Sequence, residues 1–210
     1  MVVCVGVAGG SGSGKSTLVA RLAERFREVG VCIVRQDDYY LDRSDLTVEE
    51  RAALNYDHPD AVESALLVEH VRLLKAGQRV SCPRYDFATH SRVGQRPLEP
   101  GRLTIVEGIL VLCWPTLRDL MDVRVFVDAP MELRLKRRIK RDVRERGRTE
   151  ESVRRQFSET VQPMHEEFVE PGRQYAGWLI PGDRPWGREV EDLERHIATL
   201  LERAGSSCSV

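Results

Sequence analysis

The sequence predicts an α/β fold in which helices flank a central parallel sheet of about five strands, and three observations support this prediction. Residues 2–7 (VVCVGV) are almost wholly apolar and β-branched, as expected for a strand buried on both faces. A glycine-rich turn and an amphipathic helix follow, and a second apolar strand lies at 31–34. A strand, a helix and a strand in this order form a βαβ unit, the building block of such folds.

The rest of the chain extends this pattern. Further buried strands are predicted at 103–112 around Glu107, at 123–127 and at 176–180, and two turn-rich stretches, 80–87 and 91–98, predict an antiparallel hairpin. Helices are predicted at 46–54, at 60–76, from Pro130 onward, at 150–170 with an interruption near Pro163, and at 189–204. We therefore expect residues 1–210 to form a single domain with a flap near 80–98, a basic lid near 134–150 and a disordered tail at 204–210.

Composition narrows the class of protein. The 210 residues carry a net charge of −1, which disfavours a general nucleic-acid-binding or membrane-surface protein. The five cysteines show neither a CxxC nor a His/Cys metal spacing, so reduced, buried thiols are expected. No signal peptide and no segment of membrane-spanning length is recognisable. These points predict a cytoplasmic protein whose partners include neither nucleic acid nor membrane.

A phosphate-binding loop is predicted directly after the first strand. The stretch GGSGSGKST fits G-x-x-x-x-G-K-[ST] in full and opens a helix, the context that this motif requires. Glycines let backbone N–H groups turn around anionic oxygens, and the helix N-terminus adds a positive potential. The predicted phosphate-binding residues are Gly9, Gly10, Ser11, Gly12, Ser13, Gly14, Lys15, Ser16 and Thr17. Lys15 is expected to neutralise the β- and γ-phosphates and Ser16 to bind Mg²⁺.

The motif predicts a P-loop NTPase fold but does not identify the phosphoryl acceptor. A signalling GTPase would need a guanine-reading Asn-Lys-x-Asp, yet the single asparagine, Asn55, is followed by tyrosine. A motor or helicase would usually be longer and more basic. A small-molecule kinase fits the length, the hairpin and the basic lid.

Acidic residues lie where the acceptor should bind. Ligands of open parallel sheets bind beyond the carboxyl ends of the strands. Asp37 and Asp38 follow the second strand, and Glu107 lies within or just after its own strand. One carboxylate there can take a proton from an attacking hydroxyl, and another can hold magnesium. Taken alone, Asp37 and Asp38 are more readily interpreted as solvated loop acids, whereas a buried, unpaired Glu107 would be costly without a function.

The helix after Pro130 is strongly basic. Leu135, Ile139 and Val143 recur every four residues as an apolar stripe, and Arg134, Arg138 and Arg141 fall on a separate face. Such runs are usually solvated faces or nucleic-acid patches. Because a phosphate-binding loop is present and the net charge is slightly negative, we interpret the run as a lid whose arginines close on the triphosphate.

Taken together, these segments resemble the uridine/cytidine kinase family. Its signature pieces occur in order between about Val5 and Ile180: GGSGSGKST, QDDYY, NYDHPDA, PRYDFATHSR, VEGILVL, FVDAP, RRIKRDVRERGR and Gln156 through Pro163-Met164. NYDHPDA and YDFATHSR separate the chain from P-loop kinases of phosphoribulose or pantothenate. The resemblance implies Mg²⁺-dependent transfer of the γ-phosphoryl group of ATP or GTP to the 5′-hydroxyl of uridine or cytidine, giving UMP or CMP in pyrimidine salvage. It also implies a homo-oligomer, commonly a tetramer.

The resemblance assigns roles residue by residue. Asp37 matches the catalytic base, Tyr40 lies beside the nucleoside, and Tyr56 precedes Asp57, the acid that holds the ribose hydroxyls. Tyr85 would pack on the base. The remaining implied residues are His90 for the base edge at uracil O4 or cytosine N4, Arg138 for the ribose, Arg141 and Arg146 for phosphates, Arg148 and Gln156 for phosphate or nucleoside, and Ser16 and Glu107 for magnesium. The implied catalytic set is Asp37, Lys15, Arg141 and Arg146.

Two departures from the family pattern stand out. Asp38 replaces the usual serine and adds an acid beside the implied base, where it could raise the pKa of Asp37. Residues 181–185 (PGDRP) depart from the family's Pro-Arg-Gly-Gly near the donor base, and Trp186 is unusual there, so the choice between ATP and GTP stays open. Two alternatives also stay open: a P-loop kinase of another small-molecule acceptor, and a nucleotide-binding regulatory protein without turnover.

Overall fold

A computed structural model describes residues 1–206, and 207–210 lie outside the described residues. Within them lies a five-stranded parallel sheet, which confirms the predicted sheet of about five strands; its strand order is β2-β5-β1-β6-β7. Its strands are β1 (Val3–Ala8), β2 (Val31–Arg35), β5 (Leu103–Glu107), β6 (Val123–Asp128) and β7 (Trp178–Pro181). The predicted hairpin is also confirmed, as an antiparallel pair of β3 (Val80–Asp86) and β4 (Ser91–Leu98).

The sheet separates two apolar cores because alternate side chains of a strand point to opposite faces. In β1, Val3, Val5 and Val7 pack in one core, whereas Cys4 and Ala8 pack in the other. All six residues of β1 are buried, which explains why its sequence is a continuous apolar run rather than an alternating one.

Helices cover both faces of the sheet. They are α1 (Lys15–Arg25), α2 (Val48–Ala52), α3 (Ser64–Lys75), α4 (Pro115–Arg118), α5 (Met131–Arg146), α6 (Glu150–Gln156), α7 (Gln162–Met164) and α8 (Arg188–Ser206). α1 and α8 pack on one face of the sheet, and α3 packs on the other together with the hairpin. A capping box begins α2: the Thr47 side chain accepts from the Glu50 N–H, and the Glu50 side chain accepts from the Thr47 N–H. No helix among residues 1–206 is long and apolar enough to cross a bilayer.

Two predicted boundaries are wrong. The strand predicted at 103–112 ends at Glu107, because Gly108 packs against Gln36 and the Leu110 N–H donates to Gln36 Oε1 at 2.7 Å, which turns the chain. The apolar residues that follow are nevertheless fully buried. The helix predicted at 60–76 begins only at Ser64, because 59–61 form a 3₁₀ turn and Val62 bridges to Tyr40. The first prediction was wrong because residues 110–112 are apolar and buried like a strand but lie outside β5.

Two further expectations need correction, and the basic helix buries an unexpected face. The helix around Pro163 is not interrupted; it is wound as π turns, in which the Gln162 N–H donates to the Phe157 carbonyl. The disordered tail predicted at 204–210 is wrong for 204–206, which belong to α8, and the rest lies outside the described residues. The apolar stripe of α5 is not its buried face, since Val143 is 44% exposed. The buried residues of α5 are Arg134, Arg138 and Asp142.

Candidate active site

The phosphate-binding loop lies between the end of β1 and the start of α1. Its conformation requires glycine at Gly12 and Gly14, which adopt φ values of 80° and 109°. A Cβ on Gly12 would also lie 2.5 Å from the Arg134 carbonyl oxygen, so α5 packs directly on the loop. Lys15 then begins α1 and donates to the Gly10 carbonyl at 2.9 Å.

The Lys15 ammonium is poised for an anion. Burial lowers the pKa of Lys15 to about 8. The carboxylates of Asp37 and Glu107 act in the opposite direction but offset only part of this shift. A triphosphate placed against the ammonium would stabilise its charged form. Of the nine predicted loop residues, Ser11, Gly12, Gly14, Lys15, Ser16 and Thr17 line a cavity of about 320 Å³. Gly9, Gly10 and Ser13 do not line this cavity. Gly9 packs against the Val127 carbonyl, and the Ser13 side chain is fully buried.

The same cavity offers oxygen ligands for a divalent cation. Ser16 and Glu107 both line it, and Glu107 Oε2 is buried without a hydrogen-bond partner. Hydroxyl and carboxylate oxygens are the donors that Mg²⁺ prefers, so these residues fit a magnesium ion held between protein and phosphates. The other oxygen, Glu107 Oε1, accepts from Arg35 Nε at 3.3 Å. Arg35 is a neighbour of the predicted metal site that sequence reasoning did not identify.

A second cavity of about 530 Å³ adjoins the first. It brings together every substrate-binding residue predicted from the sequence: Asp37, Tyr40, Tyr56, Asp57, Tyr85, His90, Arg138, Arg148 and Gln156, with Arg141 and Arg146. These side chains come from the turn after β2, the segment before α3, the hairpin, α5, the loop that follows α5, and α6. Asp37 and Arg141 line both cavities, so they stand at the junction between them.

Aromatic rings form one wall of the second cavity. Tyr40 lies edge-on to Tyr56 and Tyr85, with centroids 5.0 and 5.1 Å apart, and His90 stacks on Tyr56 at 5.3 Å. His90 reaches this position with a left-handed φ of 50° at the tip of the hairpin. Burial and the nearby Arg146 and Arg148 charges lower the pKa of His90, which favours the neutral imidazole. A planar ring could therefore bind against this wall.

Polar groups form the opposite side. Arg138 donates to the Ser11 hydroxyl and to Gln156 Oε1, each at 3.0 Å, and Arg148 also donates to Gln156. Burial raises the pKa of Asp57, while the Arg138 charge acts in the opposite direction. The cavity thus offers an acid, an amide and guanidinium groups to a ligand rich in hydroxyls.

The two adjacent aspartates point to different partners. Asp37 Oδ1 accepts from the Tyr40 hydroxyl at 3.3 Å at the cavity junction. Asp38 instead forms an ion pair with Arg96 of β4, at 3.0 Å from Arg96 Nη2 to Asp38 Oδ2. Asp38 lines neither cavity. The acid that replaces the expected serine is therefore neutralised by the hairpin rather than presented to a ligand.

Several site residues escaped the sequence reasoning. Phe87 lines the second cavity, packs against Tyr85 and lies 4.4 Å beneath the Arg146 guanidinium. It lies two residues after Tyr85, a spacing that could have identified it. Arg51, buried in α2, donates to the Thr89 carbonyl at the hairpin tip and supports the wall from behind. No local pattern marks Arg51, because its role depends on a contact across 38 residues.

Comparison with known proteins identifies the family. Residues 4–184 match the model of the phosphoribulokinase/uridine kinase family. The chain belongs to this family. It is similar to the uridine kinase of Vibrio campbellii, with 44% identity over 205 residues that cover 95% of this chain and 96% of that protein. It is also similar to the uridine kinase of Alkaliphilus metalliredigens, with 46% identity over 201 residues, 95% of this chain and 97% of that protein.

The fold of this phosphoribulokinase/uridine kinase family member matches solved structures as well. Phosphoribulokinase from Rhodobacter spheroides superposes with a TM-score of 0.66 at 18% identity, over 86% of this chain and 70% of that one. At this identity the similarity concerns the fold alone.

The segment that departs from the family pattern lines a further cavity. Gly182, Arg184, Pro185 and Trp186 enclose about 340 Å³ beside Gly14 and Thr17 of the phosphate loop. Trp186 is fixed there by donating its indole N–H to the Pro181 carbonyl at 2.9 Å. The departure thus lies next to the phosphate loop and outside the second cavity.

Proposed function

We propose that the protein is a uridine/cytidine kinase, which transfers the γ-phosphoryl group of ATP or GTP to the 5′-hydroxyl of uridine or cytidine and forms UMP or CMP. Near-full-length similarity to proteins named uridine kinase supports this activity. The observation on which the proposal chiefly rests is that Asp37 and Arg141 line both cavities. A carboxylate at that junction can contact both an acceptor hydroxyl and the phosphate that it attacks.

The donor binds in the first cavity. The N–H groups of the loop and Lys15 hold the β- and γ-phosphates, and Ser16 and Glu107 hold Mg²⁺. A magnesium ion held by Ser16 and Glu107 would supply positive charge against the negative charge that develops on the phosphates. Arg35 lies against Glu107 Oε1, whereas Glu107 Oε2 has no hydrogen-bond partner and is available to the metal.

The acceptor binds in the second cavity. The rings of Tyr56 and Tyr85 pack on the pyrimidine, and His90 reads the edge that carries O4 in uracil or N4 in cytosine. Asp57 and Arg138 bind the ribose hydroxyls. A site whose buried polar groups require those hydroxyls discriminates against sugars that lack them.

Asp37 then acts as general base. It takes the proton of the 5′-hydroxyl while that oxygen forms a bond to the γ-phosphorus and the bond from phosphorus to the bridging oxygen of the nucleoside diphosphate breaks. Tyr40 donates to Asp37 and holds its carboxylate in place. Arg141 and Arg146 stabilise the charge on the transferring group. Arg148 and Gln156 complete the pocket.

The simplest experiment incubates the protein with Mg·ATP and either uridine or cytidine and follows both ADP and the nucleoside product. We expect stoichiometric ADP and nucleoside 5′-monophosphate. Absence of turnover with both nucleosides would exclude the proposal, and turnover only with a different acceptor would favour another P-loop kinase.

We include a cytoplasmic location in the proposal. The four cysteines of the described residues are free thiols, which is compatible with that location. The tetramer implied by the resemblance stays a prediction.

A further inference from the structure

A fully buried carboxylate lies among the arginines of α5. The side chain of Asp142 has no exposed surface, although α5 carries many charges that could remain in water. Four guanidinium groups lie within ion-pair distance of it: those of Arg138, Arg141, Arg146 and Arg148. A buried charge is costly unless it is paired, so its presence requires an explanation.

The contacts use both carboxylate oxygens. Arg141 Nε donates to Oδ1 at 2.8 Å, and Arg146 Nε lies 3.7 Å from the same oxygen. Arg138 Nε and Arg148 Nη1 lie 3.5 and 4.0 Å from Oδ2, which has no hydrogen-bond partner. Asp142 therefore makes one close hydrogen bond and three longer ion pairs.

The local sequence produces this convergence. Arg138 and Arg146 lie four residues before and after Asp142, which places all three on one face of the helix. Gly147 ends α5 with a left-handed φ of 63°, and the chain turns back so that the Arg148 N–H donates to the Asp142 carbonyl at 3.2 Å. The glycine thus returns a fourth arginine to the same carboxylate.

Asp142 itself lines neither cavity, whereas all four arginines line the acceptor cavity and Arg141 lines both. Any effect of Asp142 on a ligand must therefore pass through the arginines. Four like charges so close together repel one another, and without a ligand no phosphate is present to offset that repulsion. Asp142 is the carboxylate that pairs with all four of them among the described residues.

We propose that Asp142 is a positioning residue that holds the four lid arginines converged on the active site before the triphosphate arrives. This inference rests on the proposed function, because it assigns the arginines to phosphoryl transfer. Preformed cations need no rearrangement when charge develops in the transition state. Loss of Asp142 should therefore reduce kcat more than nucleotide binding.

The test compares Asp142→Asn, which keeps the shape and removes the charge, with Glu145→Gln. Glu145 is exposed on the same helix and makes no ion pair within residues 1–206. Glu145→Gln therefore makes the same change of charge as Asp142→Asn without removing an ion pair. We expect Asp142→Asn to lower kcat by about 10–100-fold, since misplacement by about 1 Å can cost that much, while the Kd of Mg·ATP changes by less than about threefold. Glu145→Gln should leave both values unchanged.

A second readout needs no substrate. Hydrogen–deuterium exchange of residues 138–149 in the ligand-free protein should become faster in Asp142→Asn and stay unchanged in Glu145→Gln. Unchanged exchange in Asp142→Asn would overturn the proposal. Faster exchange with unchanged kcat would also overturn it, because Asp142 would then contribute only to stability. Exchange decides the positioning role even if wild-type protein fails to phosphorylate uridine or cytidine, a result that would instead exclude the proposed function.

A conservative variant covers the case in which Asp142→Asn does not fold. Asp142→Glu keeps the negative charge, and we expect it to retain kcat within about tenfold and to keep slow exchange at 138–149. A folded Asp142→Glu protein with fast exchange at 138–149, or with kcat reduced by more than about a hundredfold, would show that the carboxylate does not hold the arginines.

Discussion

The donor and acceptor cavities are assembled in different ways. In the donor cavity, Ser11, Gly12 and Gly14 of the phosphate loop and the first turn of α1 form one continuous segment of the lining. The acceptor cavity collects side chains from segments as distant in sequence as Asp37 and Gln156. A local motif can fix a phosphate site through backbone geometry alone, whereas a selective pocket requires the whole fold to bring side chains together. Variants at the junction, in the pocket and in the loop should therefore behave differently.

The largest expected effect lies at the junction of the two cavities. Asp37→Asn should reduce kcat by about 10²–10⁴-fold, because a general base is lost, while Mg·ATP binding persists. Steady-state kinetics and calorimetric titration with Mg·ATP measure the two quantities.

Asp38→Ser is the matched control. It breaks only the ion pair with Arg96, and we expect kcat within about fivefold of wild type, because partly exposed ion pairs contribute about 0–1 kcal/mol. If Asp38→Ser abolished turnover and Asp37→Asn did not, the assignment of the base would be reversed.

The next effect should be confined to the acceptor cavity. Tyr56→Leu and Phe87→Leu should each raise KM for uridine about tenfold, since base–aromatic stacking contributes about 1–3 kcal/mol, and leave the Kd of Mg·ATP unchanged. Tyr175→Leu is the control: Tyr175 packs under Arg118, outside both cavities. An equal rise in KM for ATP would contradict the separation of the two sites.

A pH titration tests the donor loop. Lys15 has a pKa of about 8 in the ligand-free protein, and bound phosphates should raise it. Below pH 8 the free protein already carries the proton, so affinity for Mg·ATP should be constant. Above pH 8 binding requires proton uptake, and Kd should increase by up to about tenfold per pH unit. A Kd that stays constant from pH 7 to 9.5 would argue against Lys15 as the titrating group.

The smallest effect concerns Arg35. Arg35→Ser removes the guanidinium beside Glu107 and should lower the apparent Kd for Mg²⁺, measured as metal-dependent nucleotide binding, by up to about fivefold, because the Arg35 side chain is more than half exposed and its ion pair is weak. Arg27→Ser, which removes an exposed pair with Glu24, should change nothing. A weaker affinity for Mg²⁺ in Arg35→Ser would show that Arg35 supports the site instead of competing for it.

The same contrast explains what the sequence could predict. The alternation of apolar strands and helices predicted the sheet, and the spacing of GGSGSGKST predicted the loop, because both depend on neighbouring residues. Asp38 looked equivalent to Asp37 until the fold placed Arg96 beside it. The burial of 110–112 was predictable from their apolar character, but the turn made by Gln36 was not.

The basic helix gives the clearest example of this limit. A periodic apolar stripe normally marks the buried side, yet α5 buries Arg134, Arg138 and Asp142. These charges have partners: Arg138 pairs with Asp142 and donates to Ser11 of the phosphate loop, and Arg134 donates to the Ala129 carbonyl and to Gln162. Partners for buried charges come from contacts between distant segments, so they cannot be predicted from the hydropathy of a single helix.

One competition experiment tests the central claim that the assembled pocket selects a pyrimidine ribonucleoside for the loop-bound donor. Uridine, cytidine, adenosine and thymidine are supplied at equal concentrations with limiting Mg·ATP, and the products are separated by chromatography. The account predicts that UMP and CMP take up nearly all of the transferred phosphate. Accumulation of AMP or thymidine monophosphate at a comparable rate, or ADP formation without UMP or CMP, would contradict it.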